Sequence, residues 1–501
     1  MTYKIIIVVS IIAVSLFIVS CVDVNTTNIP TGKDYRSLVR FIHLAGDNQS
    51  STPVTMDGVA VSTLSFGATS GYLDSPAGSR VLGFTGATQL ENFSTDNQYT
   101  VLIHSLSGTV RFLKLQDGYV FKNNGSGKTD TTQIRFIHIA KGFNATVQFR
   151  EGSISGTDVN DASYLSAAGF TELPSGAHTF YAVSDGGYTA SIDSSQAPSQ
   201  PSTTTSGTAS ISLTVDNGLS YSISLDSDPR DSFYTAAHFH YGAVGTSGDI
   251  FLPIDVSQQV IGFPDPDSLE EEYEVPADTT TTAAGAGTFT FKRDTLEYSI
   301  TLTRGSEPGL FTFGHFNNAP AGVNGPVVKT ITTTPVGDTT LTGVWTSSDA
   351  LQPLTPSLIT ELLAGRIYVN FHSATHPGGE IRAQLVPIKT TNVYSGSWAD
   401  IPDSTKDSII AGHVYINFHN GANPDGRVRG QVVVDPSVGH YGVASLATTD
   451  TSFAQGRMFT VVVTEVGTKL QMSKWSDRQF GVTKTVVQSQ SVGVVHNPGT
   501  K

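Results

Sequence analysis

Charge is scarce in this chain of 501 residues: Asp, Glu, Lys and Arg together make up 14 % of it, against roughly 25 % in an ordinary soluble domain. That excludes a coiled coil, whose long helices need Glu and Lys. A charged disordered chain is excluded too, because Val, Ile, Phe and Tyr recur along the whole length. The charge that is present leans acidic, with 29 Lys and Arg against 43 Asp and Glu and a net charge of −14. Nucleic acid, whose phosphates need a basic face, is therefore not an expected partner. Cysteine occurs once, at Cys21, so intrachain disulfides are excluded. Tryptophan occurs three times, at Trp345, Trp398 and Trp475, which leaves little for an aromatic glycan platform. The motifs Gly-x-Ser-x-Gly, His-Glu-x-x-His and Ser-x-x-Lys and a phosphate loop are missing, and the chain is read as non-catalytic.

The longest apolar run stands at the start. Residues 1–21 read MTYKIIIVVSIIAVSLFIVSC, with Lys4 as a positive n-region and Ile5 to Phe17 as an apolar h-region. The run is short for a membrane span and ends in small residues, as a signal peptide does. Ile18-Val19-Ser20-Cys21 resembles a bacterial lipobox. The resemblance implies cleavage before Cys21 and lipidation of Cys21 by acyl chains, the double anchor that stable membrane attachment requires. Residues 22–36 are polar, with Pro30 and Gly32, and read as a tether.

After the tether, period-2 alternation dominates. Val39-Arg40-Phe41-Ile42-His43, Tyr99-Thr100-Val101-Leu102-Ile103 and Phe459-Thr460-Val461-Val462-Val463 are rich in β-branched and aromatic residues and bounded by Gly, Asn, Asp and Ser. The spacing of the turn clusters is that of β-sandwich strands. The fold class is therefore all-β: several immunoglobulin-like or Greek-key antiparallel sandwiches, with one or two short connector helices. One helix is expected over 355–365, with Thr355 as N-cap, Pro356 at N1 and Gly365 at the end. The other is expected from Ser404 to Gly412, with Ser404 and Asp407 in a capping-box relation.

Three pairs of segments repeat. Val39-Arg40-Phe41-Ile42-His43-Leu44-Ala45 matches Ile134-Arg135-Phe136-Ile137-His138-Ile139-Ala140. Tyr221-Ser222-Ile223-Ser224-Leu225 matches Tyr298-Ser299-Ile300-Thr301-Leu302, and at the same offset His238 and Gly248 meet His315 and Gly325. Gly365-Arg366-Ile367-Tyr368-Val369-Asn370-Phe371-His372 matches Gly412-His413-Val414-Tyr415-Ile416-Asn417-Phe418-His419, and Gln384 meets Gln431. The first pair, with Gly71-Tyr72 and Pro76-Ala77-Gly78, resembles domain of unknown function family 4397, β-sandwiches common in bacterial lipoproteins. Ala237-His238-Phe239-His240, Ala321 to Val327, the Arg366 to His372 run and Pro377 to Gln384 resemble the chordin-type (CHRD) domain.

The order of these half-domains is first, first, second, second. A further repeat pairs Phe93, Tyr99-Thr100-Val101 and Asp117 with Phe453, Phe459-Thr460-Val461 and Asp477. Half a sandwich leaves an apolar face and strand edges uncovered, so the halves are expected to close across their inserts. The expected organisation is 1–20 signal peptide, 21–36 tether, 37–130 first sandwich, 131–187 with 439–482 second sandwich, 188–255 with 390–436 outer CHRD-like domain, 263–388 inner CHRD-like domain, and 483–501 tail. The alternative is four tandem degenerate domains.

His238-Phe239-His240 puts two imidazoles on one face of a strand, and His419 lies on the second-half strand of the same expected domain. Three converging imidazoles would hold copper or zinc; alternatively these histidines bond turn carbonyls and brace the glycine loops. The motif resembles, loosely, the His-x-His copper strand of copper/zinc superoxide dismutase. The inner domain departs from it, with Asn317 at the second position beside His315, His372 and His376. His43 and His138 read as packing and hydrogen-bonding residues. Asp265, Asp267, Glu270, Glu271, Glu272 and Glu274 read as a solvated linker, Glu380 and Arg382 as a pair or a solvent-facing couple, and Trp475 as core.

The leading expectation is a lipid-anchored protein of the outer membrane, on its periplasmic or its surface side, with a non-catalytic binding or adhesion role toward a protein or glycan ligand. The alternatives are an extracytoplasmic copper- or zinc-binding protein using His238, His240 and His419, and a passive spacer.

Overall fold

The computed structural model describes residues 35–117 and 131–477, apart from 49, 107, 167–168, 217, 229–232, 258, 264–268 and 278–279. The signal peptide, Cys21, almost all of the tether, the tail, Asp265 and Asp267 lie outside the described residues. Almost all of the described regular structure is β, and the described residues divide into two compact units, 35–117 with 477 and 131–476. Among the described residues no helix is long and apolar enough to cross a membrane.

The first unit is a two-sheet sandwich. One sheet runs Thr69–Pro76, Arg36–Leu44, Gln98–Leu106, Thr109–Gln116; the other runs Val59–Leu64, Thr52–Met56, Gly78–Phe84, Ala87–Phe93. Alternation sends Val39 and Phe41 inward to meet Leu82, Phe84, Phe93 and Val101, all almost fully buried. Arg36–Leu44 pairs in parallel with Gln98–Leu106, with Val39 opposite Tyr99 and Phe41 opposite Val101.

The second unit holds three cores. One core packs Phe136, Phe149 and Phe180 from the start of the unit against Phe453, Val461 and Met472 from its end. The strand Thr131–His138 pairs in parallel with Met458–Val466, with Ile134 opposite Phe459 and Phe136 opposite Val461. The facing sheet ends on Gly442–Ser445, which pairs with Phe180–Ser184. Segments more than 250 residues apart thus share both sheets, and each supplies apolar side chains the other cannot replace.

Two further sandwiches lie between those segments. In the outer one, a five-stranded sheet runs Thr390–Trp398, Gly218–Ser227, Ser206–Thr214, Gly186–Ile192, Val433–Val434, and faces Ile250–Ile254, Tyr234–Tyr241, Val414–Asn420, Asn423–Gln431. In the inner one, Val260–Gly262, Ala284–Lys292, Thr295–Thr303, Thr339–Thr346 face Val327–Thr332, Phe311–Asn318, Ile367–Ser373, Ile381–Leu385. Trp345 fills the inner core, fully buried beside Phe316 at 5.5 Å between ring centroids.

Both helices are present. Pro356–Leu363 starts as expected, with Leu358 N–H donating to Thr355 Oγ1 at 3.3 Å. The second, Asp403–Ile410, starts earlier than expected and uses no capping box: Thr405 and Lys406 donate to Pro402 O at 2.9 and 3.1 Å, which draws Ser404 inside the helix. Two other expectations fail through burial. Glu380 and Arg382 neither face solvent nor pair with each other; both are almost fully buried, Glu380 bonded to Arg304 and Arg382 stacked on Tyr368. Glu274 is not a solvated linker residue, because its carboxylate is buried and accepts from Asn370 Nδ2 at 2.8 and 3.0 Å.

Candidate metal centre

The centre is built on the two middle strands of the outer sandwich's second sheet. Along Tyr234–Tyr241, Ala237 and Phe239 point into the core, so His238 and His240 point the other way. Along Val414–Asn420, Ile416 and Phe418 enter the same core, which turns Tyr415, Asn417 and His419 outward beside the two histidines. Antiparallel pairing sets the register: His240 opposite Tyr415, His238 opposite Asn417, and Ala236 opposite His419. His419 therefore lies one step diagonally from His238, within reach of a long side chain.

This outward face is not solvent-exposed. His240 and His419 are 7 % and 9 % exposed, and His238 is half-buried. The next strand contributes Arg429 and Gln431 to the same face, both buried. Arg429 lies over the Tyr415 ring with its guanidinium carbon 3.4 Å from the centroid, and the His240 ring stacks on Tyr415 at 4.8 Å. Gln431 Nε2 donates to Gly242 O, Gly412 O and Val414 O at 2.7 to 3.0 Å, pinning the loops that cover the layer. The Tyr415 hydroxyl accepts from Gly248 N at 3.2 Å.

His238, His240 and His419 converge. Their nearest ligand-type nitrogens all lie within 4.8 Å of one another, and ring centroids are 5.3 to 5.8 Å apart. Two of the rings also brace the glycine loops: His240 Nδ1–H donates to Gly248 O at 3.0 Å and His419 Nδ1–H to Pro424 O at 2.7 Å. The bracing role and the metal role are thus compatible. A carbonyl on one nitrogen fixes the tautomer and leaves the other nitrogen as a lone pair. Indeed His240 Nε2, His419 Nε2 and His238 Nδ1 are buried with no hydrogen-bond partner among the described residues. Burial, reinforced by the neighbouring imidazoles, holds His238 below the usual histidine range, and burial does the same for His240. Neutral imidazole is the form that binds a metal.

A tetrahedral ion with bonds of roughly 2.0–2.1 Å needs nitrogens roughly 3.3 Å apart. The present spacing, within 4.8 Å, is wider than that, so binding requires the rings to draw together. His413, three residues past the helix Asp403–Ile410, is exposed and stands outside this group.

The inner sandwich repeats the layer with one change. His315 faces Asn370, Asn317 faces Tyr368, and Phe313 faces His372. Arg382 covers Tyr368 at 3.4 Å, the Tyr368 hydroxyl accepts from Gly325 N at 3.1 Å, and Gln384 Nε2 donates to Gly365 O and Ile367 O. His376 turns away, toward Thr375, Thr280 and Glu380.

The family model of the CHRD domain matches residues 188–263 and 266–385. Chordin-type sequence therefore covers the first half of the outer sandwich, with its His238-Phe239-His240 strand, and nearly all of the inner one. No curated protein matches the chain. The Tyr–Arg stack beneath the imidazoles was missed from sequence; its signal was the recurrence of Tyr368 and Arg382 as Tyr415 and Arg429 at one offset.

Proposed function

We propose that this chain is a non-catalytic, extracytoplasmic binding protein of the bacterial envelope, lipid-anchored through Cys21 at the outer membrane, whose outer CHRD-type sandwich binds copper or zinc. The observation that carries the metal reading is the convergence of three imidazoles, each with a buried nitrogen that has no hydrogen-bond partner among the described residues. Imidazole ligands suit both metals, and three of them leave one coordination position for water or an exchanging ligand. The lipobox-like sequence before Cys21 supports the anchor, and the likeness of residues 37–130 and of 131–187 with 439–482 to lipoprotein domains of family 4397 supports the same address. The two CHRD matches favour a second, compatible role: the stacked sandwiches adhere to, or bind, a protein or glycan partner.

Calorimetric titration of the mature chain with Zn2+ and Cu2+ at pH 7.5 tests the metal reading. Binding tighter than about 100 µM that His419→Ala weakens at least about 100-fold is the expected result. Absence of such binding, or a His419→Ala protein that binds equally well, refutes it. For the anchor, Cys21→Ser is expected to move the protein from the membrane fraction to the soluble envelope fraction; retention in the membrane refutes lipidation.

A further inference from the structure

The inner sandwich retains nearly everything the outer centre is made of, so its divergence is informative. His315 occupies the register position of His238, each opposite an Asn on the neighbouring strand. The His315 and His372 rings are 5.3 Å apart, the same separation as His238 and His419. His372 Nδ1 bonds Pro377 O at 3.1 Å, as His419 Nδ1 bonds Pro424 O, so Nε2 is the nitrogen left for a ligand. His315 Nδ1 is buried without a hydrogen-bond partner among the described residues, as is His238 Nδ1. The platform for a third ring persists: Tyr368 is covered by Arg382 on one side, as Tyr415 is by Arg429. The position that would stack on its other side is held by Asn317.

We infer that the inner sandwich carries a second metal site of two imidazoles, His315 and His372, that takes Cu+ and not Zn2+, with residue 317 deciding between them. This rests on the metal reading of the outer centre. Zn2+ is held by at least three protein ligands in most of its sites. Two imidazoles leave half its coordination to water. Cu+ carries one charge, has no preference for oxygen donors, and is satisfied by two imidazole nitrogens in line. The Asn317 carboxamide offers a hard oxygen or a non-ligating amide, and neither replaces an imidazole for these ions. Phe313 lies alongside His315, with rings nearly parallel at 6.1 Å, an apolar neighbour that suits an ion carrying little water.

The test is stoichiometry on the mature chain. Zn2+ is titrated against a chromophoric chelator, and Cu+ is titrated anaerobically against bicinchoninate. The unsubstituted protein is expected to take two equivalents of Cu+ and one of Zn2+. His372→Ala, with His315→Gln as a second variant in case the first folds poorly by circular dichroism, is expected to lose one Cu+ and keep its Zn2+. Asn317→His is expected to raise Zn2+ uptake to two. No Cu+ equivalent that His372→Ala removes, two Zn2+ in the unsubstituted protein, or no gain of Zn2+ in a folded Asn317→His protein overturns the inference. Failure of the outer centre reads differently: Zn2+ binding is then absent, and His419→Ala changes neither metal, while the equivalent sensitive to His372 is still counted.

Discussion

His138 makes a prediction that can be worked to a magnitude. Its ring is fully buried on the strand Thr131–His138. Ala140 N–H donates to Nδ1 at 3.2 Å, and Nε2–H donates to Asn144 O at 2.9 Å. Both nitrogens are thus used by the neutral ring, and a second proton on Nδ1 would confront the Ala140 N–H. Burial pushes the pKa down to about 4, against a slight opposing effect of the Asn144 bond. In the unfolded chain the ring titrates near 6.5. Between those values the unfolded state binds more protons, so stability is intact above about pH 6.5 and is lost as pH falls toward 4. At about 1.4 kcal/mol per pH unit the full loss is about 3 kcal/mol for this one residue. Urea unfolding of the sandwich around it, followed from pH 8 to pH 4.5, is expected to show that slope. His138→Gln keeps a donor for Asn144 O but cannot charge; it is expected to be less stable at pH 8, by about 1 kcal/mol for the lost bond, yet flatter with pH by up to one proton. Parallel slopes for the two proteins, or a His138 ring resonance that titrates near pH 6.5 in the folded protein, would refute the reasoning.

Two more predictions follow from buried cations. Arg304 Nη1 donates to the fully buried Glu380 at 2.5 Å, and Glu380 also accepts from Thr281 Oγ1 at 2.8 Å, so Arg304→Met strands a carboxylate and is expected to destabilise the inner sandwich by about 3–5 kcal/mol. Adding Glu380→Gln should recover much of that loss in urea unfolding, and an unchanged midpoint for the single variant would count against the pair. Arg429→Met removes the cation from the Tyr415 face that supports His240, and is expected to weaken Zn2+ binding about 10–100-fold; Arg382→Met, at the matching inner position, should leave Zn2+ affinity unchanged, and equal effects of the two would separate the stack from the centre.

The fold class was legible because alternate positions on the strands, such as Ile416 and Phe418, send apolar side chains into a core even where the polar residues between them are buried as well. Val39-Arg40-Phe41-Ile42-His43 and Ile134-Arg135-Phe136-Ile137-His138 even announced their shared setting: each lies parallel to the strand that its repeat relation names, with Phe41 opposite Val101 and Phe136 opposite Val461. The readings of His43 and His138 held for a reason that sequence does not display, a backbone N–H two residues on, donated by Ala45 to one and Ala140 to the other. What stayed hidden were partners that are remote in sequence or belong to the backbone. Glu380 looked to Arg382 because the two share a strand, but Arg304 arrives from a loop 76 residues earlier. Glu274 looked like one acid in a solvated run, yet Asn370 draws it inward.

The three histidines were found by spacing, but spacing alone could not decide between bracing and ligation. The geometry separates the two contributions nitrogen by nitrogen. Bracing uses His240 Nδ1 and His419 Nδ1, and a turn needs nothing more from either ring. The remaining nitrogens of those two rings are buried acceptors and His238 Nδ1 is a buried nitrogen, all without protein partners among the described residues, and each such group costs about 1–3 kcal/mol when left unpaired. On the proposed metal reading, one ion held among the three converging rings would answer these nitrogens together.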